Sequence, residues 1–210
     1  IKELLGLTLV SNNQKGMAFS NGSVLKIGNF RGDTLQSLHV SEIAKIAKKY
    51  PDKAKELKNG AFQAVGKGNK ITLESTAEGK SGMFYNMWHK AVLKRDSGED
   101  LSPFDFQPIF LSWLEDFDCN LSMPYKATET LDAYFTKLED KLHIVINETQ
   151  RSWYAAKLEE LESSGDDSDM KQEYPSYPEE AFEQSVEGTV FRKEYELIVK
   201  EGRYHEFEVD

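Results

Sequence analysis

Leu38-His39-Val40-Ser41-Glu42 and, further along, Ile71-Thr72-Leu73-Glu74-Ser75-Thr76-Ala77 are the two stretches whose reading decides the fold. Each is a short β-prone run that stops at small polar or acidic residues. Runs of this length are too short for helices and read as buried strands. In open α/β sheets, ligands bind just beyond the carboxyl ends of the strands. The two strands are therefore expected to be adjacent and parallel, joined by a helical crossover, with Ser41, Glu42, Ser75 and Thr76 side by side on one sheet edge. A carboxylate beside hydroxyls at strand ends suits an ATPase, where the carboxylate orients a water and a hydroxyl senses the phosphate.

Working outward, residues 4–10 read as a strand or the end of a helix, and Asn12-Asn13-Gln14-Lys15-Gly16 as a turn. Asn21-Gly22-Ser23 lies between the apolar runs Met17–Ser20 and Val24–Ile27, a hairpin signal. Arg31, in the loop Gly28-Asn29-Phe30-Arg31-Gly32, is either a contact to a phosphate or a neighbouring subunit, or a surface arginine with a local salt bridge. His39 is expected to pack into the sheet. Residues 42–66 look helical, broken at Tyr50-Pro51, since proline suits a first helical position. Lys45, Lys48, Lys49, Lys53, Lys55 and Lys58 cluster there, as a DNA-tracking face or as a solvated helix face.

Residues 82–94 form an amphipathic helix whose aromatic face reads as core. Gly79-Lys80-Ser81 echoes the end of a phosphate-binding loop, but the first glycine that G-x-x-x-x-G-K-[ST] requires is replaced by Glu74, which excludes it. Phe106–Trp113 reads as another buried strand, closed by Glu115-Asp116, and Asn120–Tyr125 as an irregular exit. Thr128–Leu142 and Asn147–Glu162 read as helices, Tyr174–Pro178 as extended, and Pro178–Gln184 as a short helix opening with proline and two glutamates. Gly188–Tyr195 reads as the start of a strand or a helix.

The bulk numbers narrow the class. The 210 residues fit one domain with an appendage, or two small domains, and are enough to bury a sizeable core. No apolar run approaches the length of a membrane span, and no signal peptide is recognisable. The single cysteine, Cys119, excludes an internal disulfide and suits a reducing compartment. The net charge of −10 is unevenly spread, with 16 Lys/Arg against 7 Asp/Glu in residues 1–95 and 5 against 16 in residues 128–187. Such asymmetry marks either a nucleic-acid face on the basic half or merely two soluble halves of opposite sign; the overall negative charge opposes DNA binding.

Several segments in order resemble the ATPase motor of tailed-bacteriophage large terminases. They are Arg31-Gly32-Asp33-Thr34, Leu38–Glu42, Glu74-Ser75-Thr76-Ala77-Glu78-Gly79, Pro108–Trp113 and Gln172–Phe182. The resemblance spans nearly the whole chain. It implies a partial P-loop NTPase-type α/β sheet over residues 1–126, lacking its N-terminal part, and a mainly helical linker subdomain over 127–210 leading toward a nuclease. It implies Glu42 as the catalytic, water-orienting base, Ser41 near nucleotide and magnesium in place of the usual acid, and Ser75-Thr76-Ala77 as the coupling motif. Without the resemblance, Glu42 reads equally as an acid at a helix N-terminus.

In the intact parent protein the family implies ATP and Mg2+ as cofactors. The partners would be double-stranded DNA, a small terminase subunit and a portal protein, with no membrane, in the cytoplasm of the bacterial host. The parent would also be an endonuclease. No G-x-x-x-x-G-K-[ST] occurs in the chain, nor the acidic strand ends of a two-metal nuclease after residue 190. The chain is therefore expected to be a central fragment, inactive by itself, with no tightly bound cofactor and no metal site of its own. The alternatives are a non-enzymatic prophage remnant or a fragment of a helicase-like P-loop motor.

Overall fold

The computed structural model describes residues 6–28, 30, 34–164 and 170–183. The chain is mixed α/β, with two small sheets and several helices, and divides into two compact units. The first comprises Ile1–Ser41 and Tyr50–Glu74, the second Glu42–Lys49 and Ser75–Asp210. The boundary expected at residue 126 falls inside the second unit.

The first unit contains an antiparallel meander of β1 (Leu9–Asn13), β2 (Gly16–Phe19) and β3 (Val24–Lys26). The expected turns are where the sequence puts them, although the first strand begins later than Leu4 and residues 1–5 lie outside the description. A β-carbon at Gly16 would collide with the Leu25 carbonyl of the neighbouring strand, so only glycine fits there. The same unit holds the decisive pair, β4 (Leu35–Val40) and β5 (Val65–Leu73), which run parallel with Val40 opposite Leu73. The Glu74 amide donates to the Val40 carbonyl at 3.0 Å and continues the ladder one residue further.

Alternation explains β4, because Leu38 and Val40 are buried while Ser37 and His39 face outward. His39 is thus not core packing, as expected from the sequence; its Nε2 lies 3.3 Å from Glu74 Oε1 on the surface. The register shifts between Leu35 and Ser37, opposite Gly66-Lys67-Gly68-Asn69, and Asn69 Nδ2 donates to the Leu35 carbonyl at 3.0 Å across the irregularity. Between the two strands the chain forms α1 (Ile43–Lys49) and α2 (Pro51–Glu56), the latter running into a π-helical turn, Leu57–Ala61. Tyr50 leaves the helical region (φ −136°, ψ 69°), which the following proline disfavours, and this ends α1. Asn59-Gly60 lies inside the π turn.

The second unit holds α1, α3 (Gly82–Ser97), a 3-10 turn at Trp113–Glu115, α4 (Glu129–Leu142), α5 (Glu148–Ser164), α6 (Met170–Glu173) and α7 (Pro178–Glu183). Thr128 caps α4, its Oγ1 accepting from the Leu131 amide at 3.2 Å. The main core is aromatic: Trp113, Phe135, Tyr154 and Met170 are buried together. A second cluster packs Ala77, Ala181 and Phe182 against Phe84, Tyr85 and Trp88 of α3, with the Tyr85 and Phe182 rings edge to face at 5.2 Å. The aromatic face of α3 is core, as its spacing indicates.

Phe106–Trp113 is not a strand. Its backbone runs without a ladder among the described residues, and Trp113 begins the 3-10 turn. Phe110 packs on the second cluster, whereas Ile109 and Leu111 are 78% and 80% exposed. Ser112 and Trp113 bond instead to the 175–176 segment. A short apolar run records a local preference for extended backbone, but a strand also needs a neighbour to exchange hydrogen bonds with. Residues 188–195 lie outside the described residues. Among the described residues no helix is long and apolar enough to cross a membrane.

Candidate functional site

The chain leaves β4 through Ser41, which is exposed, and enters the second unit at Glu42. Glu42 has φ +56°, the left-handed region that non-glycine residues seldom occupy. This turns the strand sharply into α1, and the Glu42 carbonyl accepts the first helical bond from the Ile46 amide at 2.9 Å. Glu42 therefore occupies the N-cap position, where a side chain normally satisfies one of the free amides of the first turn. That task is done from elsewhere. Ser75 Oγ accepts from the Ala44 amide at 3.1 Å, across 31 residues of sequence. The Glu42 carboxylate is left out of the cap.

That carboxylate faces a lysine. Lys45 Nζ lies 3.2 Å from Glu42 Oε2, and Oε2 is buried with no aligned hydrogen bond, so the contact is one of charge. Lys45 also lies 3.6 Å from Glu173 Oε1 of α6. Partial burial of Lys45 works against its charge, but Glu42 and Glu173 outweigh that and raise its pKa above the ordinary lysine value. Lys48 Nζ pairs with Glu78 Oε2 at 3.0 Å, and Gln172 Nε2 donates to Glu78 Oε1 at 3.2 Å.

Thr76 Oγ1 is buried with no hydrogen-bond partner. A buried hydroxyl without a partner costs about 1–3 kcal/mol, so the residue keeps an unused bonding capacity inside the fold. Ala77 is buried in the cluster around Phe182 and anchors the loop. Glu42, Ser75, Thr76 and Ala77 all belong to the second unit, whereas Ser41 belongs to the first. Arg31 lies outside the described residues.

The six lysines of residues 45–58 do not belong to one unit. Lys45, Lys48 and Lys49 fall in the second, and Lys53, Lys55 and Lys58 in the first. Lys45 and Lys48 are engaged by carboxylates, which the spacing of lysines along a helix cannot reveal.

Sequence reasoning missed Glu78, Gln172 and Glu173, whose partners lie far off in the chain. It also missed a buried polar network. Glu180, only 2% exposed, accepts from the Ser176 amide at 2.6 Å and the Tyr134 hydroxyl at 3.1 Å. Trp113 Nε1 donates to Ser176 Oγ at 2.9 Å. Desolvation first, and then Tyr154 and Glu180, push the Tyr134 phenol well above its usual range, so it stays a neutral donor. This network joins the 3-10 turn, α4 and α7, and its role is structural. The only signal for it in the sequence is a glutamate in the first turn of a proline-started helix.

The groups gathered here can orient a water through Glu42, hold that carboxylate through Lys45, and offer one unsatisfied hydroxyl at Thr76. Among the described residues no group of three or more His, Cys, Asp or Glu side chains could hold a metal ion. No protein-family model, no curated protein and no solved structure matches the chain.

Proposed function

We propose that the chain is the central part of a tailed-phage or prophage large terminase, the motor that uses ATP to move viral DNA into a procapsid in the bacterial cytoplasm. One observation carries this reading. Ser75 caps α1 in place of Glu42, which leaves the carboxylate at the end of β4 available for chemistry. The bland role for Glu42, capping the helix it precedes, is thereby already filled.

In this reading Glu42 is the general base that orients the attacking water, and the Ser41 hydroxyl would take the place of the carboxylate that usually holds magnesium through water, as a weaker partner. Thr76 Oγ1, with no protein partner, is the hydroxyl free to bond in one nucleotide state and not in another. The nucleotide would supply the phosphoanhydride bond that is cleaved. The chain carries no backbone cradle for its β- and γ-phosphates, so ATP binding depends on sequence beyond these residues. The basic half would face DNA phosphates, and a small terminase subunit and a portal would complete the motor.

The gene provides the first test. The reading frame upstream should encode G-x-x-x-x-G-K-[ST], and a gene without it would leave a non-enzymatic remnant as the better reading. The protein provides the second. The 210-residue chain should release phosphate from ATP no faster than its Glu42→Ala variant. In the full gene product, Glu42→Ala should lose most turnover and keep nucleotide binding. Undiminished turnover in that variant would overturn the assignment.

A further inference from the structure

Lys45 stands between two carboxylates, Glu42 Oε2 at 3.2 Å and Glu173 Oε1 at 3.6 Å. One turn further along α1, Lys48 holds Glu78, which also takes a hydrogen bond from Gln172. Two neighbouring residues of α6, Gln172 and Glu173, thus reach two of the three lysines of α1, Lys45 directly and Lys48 through Glu78. The other end of α6 is anchored, because Met170 is buried in the aromatic core. A single exposed ion pair would contribute little. Here several charges form one network, and the Glu42 oxygen that faces Lys45 is itself buried.

We propose that Lys45 is a positioning residue for the Glu42 carboxylate, and that α6 sets how firmly it holds by drawing the same ammonium toward Glu173. This rests on the water-orienting role given to Glu42 above. A base that orients water must be ionised and held within a narrow geometry. Lys45, three residues along the helix, does the holding, its Nζ 3.2 Å from Glu42 Oε2. Glu173 competes for the same charge, so a shift of α6 away from α1 leaves Lys45 to Glu42 alone, and a shift toward α1 loosens the hold. The segment 170–173 thereby acts on a carboxylate that it does not touch.

Nuclear magnetic resonance of the whole 210-residue chain tests this without nucleotide. The Lys45 ammonium protons should exchange with water several-fold more slowly than those of exposed Lys55. Glu42→Gln and Glu173→Gln should each speed that exchange. Glu173→Gln should move the Glu42 carboxyl carbon resonance, and in a Lys45→Met background the same change should leave it in place. Lys45→Arg, which keeps the charge, should restore the response. Thermal melts of each variant confirm that the fold is kept.

The proposal is overturned if Glu173→Gln moves the Glu42 resonance equally with and without Lys45, or not at all, or if Lys45 exchanges as fast as Lys55. These readouts are independent of turnover. A full gene product that hydrolyses ATP normally without Glu42 would end the water-orienting role given to Glu42 while the resonances still report the lysine coupling.

Discussion

Replacing Ser75 with alanine removes one oxygen, and with it the 3.1 Å hydrogen bond that the Ala44 amide makes across 31 residues of sequence. The Ala44 amide belongs to the first turn of α1, where no backbone carbonyl can reach it. Ala44 is 5% exposed, so water cannot readily take over from the lost hydroxyl. Loss of a helix cap costs about 0.5–2 kcal/mol, typically near 1. For a chain of this size each kcal/mol lowers the melting temperature by about 2–4 °C. Urea unfolding followed by circular dichroism reads the global cost, and amide exchange at Ala44 reads the local one. Exchange there should accelerate about fivefold for each kcal/mol lost. Ser75→Thr keeps the hydroxyl and should keep most of the protection. A Ser75→Ala protein with an unchanged unfolding midpoint and unchanged exchange at Ala44 would refute the capping role. Glu42 would then be the natural cap again, and the case for its availability would fall with it.

Thr76→Val keeps shape and removes a buried hydroxyl that has no partner, so stability should hold or rise by up to about 1 kcal/mol in a thermal or urea melt; a loss of similar size would mean that the hydroxyl is bonded. Cys119 is buried, and desolvation, reinforced by Asp116 and Asp118, pushes its thiol up to about 11. Native protein at pH 8 should therefore react slowly with an alkylating reagent and rapidly once unfolded, whereas fast native labelling would contradict the burial. Glu139 accepts from the Ile146 amide at 2.7 Å and from Arg151 Nη2 at 2.9 Å, and the amide bond chiefly lowers its pKa below 4.5. The folded state holds this carboxylate ionised to lower pH than the unfolded chain does. Its contribution is complete above 4.5 and lost as pH falls through the lowered value, so Glu139→Gln should flatten the acid limb of a stability curve.

Local pattern was enough for much of this fold. Short β-prone runs that stop at polar residues after Val40 and Leu73 located two strands. Asn21-Gly22 located a hairpin and Pro51 a helix start, and Thr128–Leu142 was legible as a helix. Each of these signals acts between residues close in the chain, where sterics and hydrogen bonding are set by neighbours. The residues at the ends of the two strands could be named for the same reason, since a strand stops where its apolar alternation stops.

The tertiary structure decided what those residues are attached to. Phe106–Trp113 reads as a short apolar run like β4, yet it lacks a ladder among the described residues, because a strand needs a partner that its own sequence cannot provide. Ser75 spends its hydroxyl on Ala44, 31 residues away, and Lys45 is shared between Glu42 and Glu173, 128 residues farther along the chain. Glu180, which reads as one more surface acid at the start of a helix, is buried beneath Tyr134 and Ser176. Hydrogen bonds and ion pairs act over a few ångströms of space whatever the separation in sequence. Which donor meets which acceptor is therefore fixed only when the core has packed, whereas the propensity to extend, turn or coil is already present in the unfolded chain.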